Sequence, residues 1–126
     1  MTSKPKLKLA LIGKGIGESR APELHRRAGE IVGVRTTYEL IDLDGLPFDA
    51  FEAECGRCRA EGYAGINITH PFKERAVNLV DLTSADVRRL RALNTVGFIA
   101  PSAGSTESAG RAHGYVGRLT LFTRRR

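Results

Sequence analysis

Residues 6–41 read KLKLALIGKGIGESRAPELHRRAGEIVGVRTTYELI, and the changes of pattern inside this stretch set the fold class. Charged and apolar residues alternate from Lys6 and give way to an apolar run that stops at Gly13, which predicts a strand over Lys6–Ile12. A loop follows from Gly13 to Ala21. Pro22 suits the first turn of a helix, where its missing N–H is not needed; that helix runs through Leu24, Ala28 and Ile31 and stops at Gly33. Arg35–Ile41, rich in Thr, Tyr and Ile, predicts a second strand.

The alternation continues downstream. Asp42–Pro47 reads as a turn, Phe48–Glu61 as a helix ending near Gly62, and Tyr63–Ile68 as a short apolar strand. His70 and Pro71 open a further helix over Phe72–Leu79, Ser84 is a good N-cap for Ala85–Arg91, and Leu93–Ala100 forms the next strand. The order β-α-β-α-β-α-α-β puts helices between strands. The expected fold is therefore α/β, a three-layer sandwich around a mainly parallel mixed sheet. There are no internal repeats, and Pro101–Gly110, rich in Ser, Ala and Gly, reads as a flexible loop.

A chain of 126 residues suits one domain and buries enough surface to fold without metal or disulfide staples. Its 41% hydrophobic and 27% charged residues exclude wholesale disorder, collagen and coiled coil. The net charge of +6 is unevenly spread: residues 1–110 hold fifteen Lys/Arg and all fourteen Asp/Glu, while Arg111, Arg118, Arg124, Arg125 and Arg126 supply the excess. A nucleic-acid module needs a basic stripe on its folded surface, often with interleaved aromatics, and the body has neither, so no nucleic-acid partner is expected. The apolar run Leu9–Ile12 is too short for a signal sequence or a membrane span, which predicts a cytoplasmic protein without a membrane partner.

Cys55 and Cys58 form a CxxC that admits three readings. A structural zinc needs two more ligands, and His25, His70 and His113 are scattered, so no metal is expected. A redox pair belongs at a helix N-terminus, where the dipole lowers the thiol pKa. These two instead share helical spacing with Phe48 and Phe51, which predicts small apolar residues on a buried helix face.

Gly13, Gly15 and Gly17 follow a strand and precede a helix, as a dinucleotide fingerprint would. Position 18, where the third glycine belongs, is Glu18, whose carboxylate would repel a pyrophosphate, and Pro22 delays the helix. A turn that needs glycine dihedrals is the expected role. A nucleotide site here is the weaker reading, and affinity for adenine nucleotides would reveal it.

Two segments place polar side chains at strand ends: Gly65-Ile-Asn-Ile-Thr-His-Pro-Phe-Lys73 and Ala92-Leu-Asn-Thr-Val96. Ligands bind outside the carboxyl ends of strands in open α/β sheets. Asn67 and Thr69 alternate with Ile66 and Ile68 and so share a face, with Lys73 one helical turn on and Asn94 at the start of a neighbouring strand. Two amides, a hydroxyl and an ammonium suit a small polyhydroxylated anion. The same residues also describe an Asn/Thr turn with a solvated lysine, and spacing alone does not choose.

GINITHPFK and ALNTVGF resemble the signature segments of the shikimate dehydrogenases, more closely the quinate/shikimate branch, and GKGIGESRAPELH is similar to that family's first loop. The resemblance runs from about Leu9 to Tyr115, in the N-terminal substrate-binding domain. It implies an NAD(P)-dependent oxidoreductase that interconverts a ring carbonyl of 3-dehydroshikimate or 3-dehydroquinate with the hydroxyl, the substrate being a small molecule. It assigns Lys73 as the catalytic lysine exchanging a proton with the reacting oxygen, Asn67, Thr69 and Asn94 as ligands of the ring hydroxyls and carboxylate, and Ser19 as a donor to the carboxylate. A loop serine taken alone is usually a turn former.

Three departures accompany the resemblance. The family's first loop carries a second hydroxyl two residues after the serine, where this chain has Ala21. Arg118 stands where the family has an Asp that pairs with the lysine, placing a like charge beside Lys73. The chain stops at Arg126, where the family continues into a C-terminal Rossmann domain holding NADP or NAD. Residues 1–115 are thus expected to form the substrate-binding domain, and 116–126 a basic tail from a truncated or frame-shifted gene. A separate chain carrying the nucleotide domain is one partner that would complete the enzyme. A non-catalytic module holding a cyclic polyol carboxylate would bind shikimate without dinucleotide, whereas an inactive fragment would bind neither.

Overall fold

The computed structural model describes residues 6–99 and the strand 111–115. The elements are β1 (Lys6–Gly13), α1 (Ala21–Val32), β2 (Arg35–Asp42), α2 (Ala50–Ala60), β3 (Gly65–Ile68), a 3₁₀ turn (Arg75–Leu79), β4 (Leu82–Thr83), α3 (Ala85–Leu90), β5 (Thr95–Ile99) and β6 (Arg111–Tyr115). They build one six-stranded sheet in the order β2-β1-β3-β5-β6-β4. β1 runs parallel to β2 and β3, β4 runs parallel to β6, and β5 runs antiparallel to both β3 and β6. The mixed α/β sheet is as expected. The loop Pro101–Gly110 and the tail 116–126 lie outside the described residues.

Alternation along the strands separates two faces. Ala10, Ile12, Ile66, Ile68 and Val96 form the main core with Phe51, Cys55 and Cys58 of α2, Phe72, Ala76 of the 3₁₀ turn and Val87 of α3. On the opposite face α1 packs on β2: a methyl group at Gly29 would overlap the Thr36 side chain, so glycine lets the helix approach the strand closely. Leu24 is 64% and Ile31 85% exposed, and the residues that α1 buries are His25 and Gly29. Gly33 closes the helix in the left-handed conformation at φ 76°, which glycine adopts without a Cβ penalty.

The helix expected over Phe72–Leu79 is replaced by a turn and five residues of 3₁₀ helix. The reason is a competing partner for one carbonyl. Lys73 O accepts from Leu93 N at 3.0 Å, so Val77 N bonds Glu74 O at 3.3 Å instead and the turn tightens. Two strands were not anticipated, β4 and β6; two residues and an isolated RAHGY segment carry little periodicity on their own. Ser84 caps α3 as expected, its Oγ accepting from Val87 N at 3.3 Å. Among the described residues no helix is long and apolar enough to cross a membrane.

Both cysteines are buried on α2, facing the sheet. Burial pushes the Cys55 thiol up to about 12 and the Cys58 thiol up to about 11, since a thiolate there would lose its water. The native chain at pH 8 is therefore expected to resist iodoacetamide, with both thiols alkylated only after denaturation. Mass spectrometry of the two reactions checks this, and modification of either thiol in the folded chain within minutes would contradict it.

Candidate functional site

The site forms where three chain crossings bring strand ends together. β3 ends at Ile68, and Ile68 N bonds Asn94 O at 2.8 Å because β5 enters antiparallel at that point. Thr69 N bonds Ile12 O at 3.0 Å, which holds Thr69 beside the end of β1. The chain then turns through a cis His70–Pro71 bond, with Phe72 N on Thr69 O at 3.1 Å and Lys73 O tied to Leu93 N. The backbones of Asn67, Thr69, Lys73 and Asn94 are thereby gathered at one end of the sheet, where β3 ends and β5 begins, as their spacing suggested. Ile66 and Ile68 are buried while Asn67 and Thr69 are half-exposed, so the expected alternation holds, and the Lys73 side chain stands in solvent.

Asn67 is held at both ends of its amide. Tyr38 Oη donates to Asn67 Oδ1 at 2.8 Å, and Asn67 Nδ2 donates to Thr95 Oγ1 at 3.1 Å. Thr95 Oγ1 donates in turn to Asn94 Oδ1 at 3.1 Å. Neither Tyr38 nor Thr95 was singled out from the sequence. Asn67 and Tyr38 lie on strands that both flank β1, and pairing across an intervening strand leaves no local signal.

The first loop carries Ser19. Lys14 N bonds His70 O at 3.1 Å, which docks the loop's base against the Thr69–Lys73 turn. A methyl group at Gly13 would overlap Thr69 Cγ2 and lie 3.2 Å from the His70 carbonyl, so this glycine permits the close approach of the two segments. Ser19 Oγ accepts from Ala21 N at 3.2 Å, the turn-forming geometry, and its hydroxyl proton is directed away from that contact. The hydrogen bonds that link Asn67, Thr95 and Asn94 do not reach Ser19; it shares the site through the loop's docking.

Asp42, at the end of β2, organises that loop. Its Oδ1 accepts from Gly15 N and Asp44 N, both at 3.0 Å, and its Oδ2 from Ile16 N at 3.2 Å. Gly15 sits at φ 68°, as a glycine turn was expected to require. The nucleotide reading fails on this geometry: the loop N–H groups a phosphate would need already face a carboxylate, so these residues do not fit a dinucleotide.

The three backbone N–H groups, Asp44 first, then Gly15 and Ile16, hold the Asp42 carboxyl below the usual range. A group lowered by folding supports the fold at neutral pH and gives up that support as pH falls through its folded value. At pH 3, hydrogen exchange at Gly15 and Ile16 is expected to run faster, after correction for intrinsic rates, than at pH 6. Asp42→Asn is expected to show the loose pattern already at pH 6, and equal protection in both proteins at both pH values would contradict the anchoring role.

Residues 11–96 match the family model described as the shikimate dehydrogenase substrate binding domain. The chain is 40% identical over 90 residues to a shikimate dehydrogenase (NADP(+)) of Pseudarthrobacter chlorophenolicus, covering 70% of this chain and 31% of that protein. It is 37% identical over 90 residues to a quinate/shikimate dehydrogenase (NAD(+)) of Corynebacterium efficiens, covering 70% and 32%. Among solved structures it is similar to quinate dehydrogenase from Corynebacterium glutamicum in complex with NAD, with TM-score 0.73 and 29% identity over 89% of this chain and 38% of that one. It is also similar to shikimate 5-dehydrogenase from Thermus thermophilus in complex with NADP(H) and shikimate, with TM-score 0.70 and 29% identity over 86% and 37%. The chain spans about a third of the length of the curated relatives it matches.

Proposed function

The chain belongs to the shikimate dehydrogenase substrate-binding domain family, and from that membership we propose that residues 1–115 form the seat for shikimate, 3-dehydroshikimate or quinate, with 116–126 as a basic tail. The observation that carries this reading is the gathering of Asn67, Thr69, Lys73 and Asn94 where β3 ends and β5 begins, by the Ile68–Asn94 and Lys73–Leu93 backbone bonds. Asn67, Asn94 and Thr69 read the ring hydroxyls and carboxylate, and Ser19, its oxygen already accepting from Ala21, donates its proton to the carboxylate. Ala21 supplies no second hydroxyl, so the carboxylate is held with one donor fewer than the family pattern.

The reaction proposed is the family's oxidation of a ring CH–OH. Lys73, in solvent at the edge of the seat, takes a proton from the reacting hydroxyl, or returns one to the oxygen in the reverse direction. The N–H groups of Gly15 and Ile16 are already taken by Asp42, so substrate binding and the proton step are the parts proposed for the residues named here. The NADP or NAD named for the relatives accepts the hydride in those proteins' reactions.

Calorimetric titration with shikimate and with quinate tests the seat. Saturable uptake of one acid is expected, and Asn67→Ala is expected to weaken it about 5- to 150-fold, the cost of leaving one ligand hydroxyl without its partner, about 1–3 kcal/mol. Absence of heat from the folded chain with both acids would contradict the proposal.

A further inference from the structure

The sheet face beneath α1 carries a hydrogen-bonded row that the proton step does not use. It runs from Tyr38 through Asn67 and Thr95 to Asn94. Each hydroxyl in the row has a single proton, and each amide has one end that only accepts and one that only donates. The row therefore has one polarity throughout. Turning over the Asn67 amide would force Thr95 to donate to Asn67 and to accept from Asn94, so the Asn94 amide would have to turn over as well.

Tyr38 stands at the head of the row and is itself fixed. Its ring stacks on His25 at 4.3 Å with an interplanar angle of 26°. His25 is buried, and its Nδ1 lies 2.8 Å from the Ala21 carbonyl, which can only accept, so Nδ1 carries the proton. Burial also raises the Tyr38 phenol well above its ordinary value, which keeps it a donor.

We propose that Tyr38 is a positioning residue for the substrate seat: its hydroxyl orients the Asn67 amide and, through Thr95, the Asn94 amide, so the two amides meet a ligand's hydroxyls as one preset unit. This rests on the reading of Asn67 and Asn94 as ligand-binding groups. Presetting removes the cost of ordering two rotatable amides on binding.

The test uses the full chain with Tyr38→Phe, Thr95→Val, Asn67→Ala and the Tyr38→Phe/Asn67→Ala pair. Tyr38→Phe keeps the ring on His25 and removes one hydroxyl. In ligand-free, ¹⁵N-labelled protein, the side-chain NH₂ signals of both Asn67 and Asn94 are expected to move in Tyr38→Phe and again in Thr95→Val. Shikimate affinity is expected to fall about tenfold in Tyr38→Phe, with no further fall when the change is added to Asn67→Ala. An unmoved Asn94 signal in Tyr38→Phe, or an equal loss of affinity in the Asn67→Ala background, would overturn the proposal. Should the unaltered chain take up no shikimate, the seat reading fails on its own, and the NH₂ signals still decide whether Tyr38 orients the amides. Should Tyr38→Phe unfold, Thr95→Val decides: joint movement of the Asn67 and Asn94 signals supports the row, and movement of only one refutes it.

Discussion

Lys73→Ala is expected to lower shikimate turnover by about 10²–10⁴-fold, the usual contribution of a positioned proton-transfer group. The assay joins residues 1–115 to the remaining, C-terminal part of the Pseudarthrobacter chlorophenolicus relative, which is 40% identical over 90 residues, and follows reduction of NADP(+). The Lys73 side chain is exposed, while the backbone carbonyl that fixes the turn on Leu93 N survives the substitution. The melting midpoint of the chimera should therefore stay put. A loss of kcat with little change in KM marks proton transfer, whereas a rise in KM at constant kcat would reduce Lys73 to a binding group and contradict the proposed role.

Phe72→Ala is expected to cost about 3–5 kcal/mol of stability. Phe72 is fully buried, stacked on Phe51 with ring centroids 4.6 Å apart and an interplanar angle of 2°. It also links core to site: its N–H bonds Thr69 O at 3.1 Å, and its own carbonyl accepts from Ala76 N at 2.9 Å. Since domains hold only about 5–15 kcal/mol in total, the loss should remove a large share of the fold's margin. Urea unfolding measures it, and a cost under about 1 kcal/mol would mean that the Phe51–Phe72 pair is not packed as described.

Those two residues also show how much could be read in the sequence. The period-two pattern of Ile66, Asn67, Ile68 and Thr69 placed the polar pair on one face, because strand periodicity is local. The burial of Cys55 and Cys58 was legible for the same reason, from helical spacing with Phe51. The turn that presents Lys73 was not, since its shape depends on a carbonyl whose partner, Leu93, lies far along the chain. Nor was the buried side of α1: Leu24 and Ile31 are exposed, and close contact with Thr36 favours the small Gly29 and the flat His25, which stacks on Tyr38.

Within the site, Lys73, Asn67, Thr69 and Asn94 stood out because they cluster at predicted strand ends, and the structure does bring their backbones together. Ser19 came from the resemblance alone. Tyr38 and Asp42 were invisible because each acts on a segment more than twenty residues away, Tyr38 on Asn67 and Asp42 on Gly15 and Ile16. Contacts of that kind follow from strand order, which local patterns do not encode.

The placement of the seat is tested most directly by titrating shikimate into the ¹⁵N-labelled chain and mapping the amide signals that move. Movement is expected at Ser19, Thr69, Lys73 and Asn94 and in the side-chain NH₂ group of Asn67. The contrary result would be movement confined to the groove of about 150 Å³ between α2 and the sheet, at Cys55, Arg59 and Val80, or no movement at saturating shikimate.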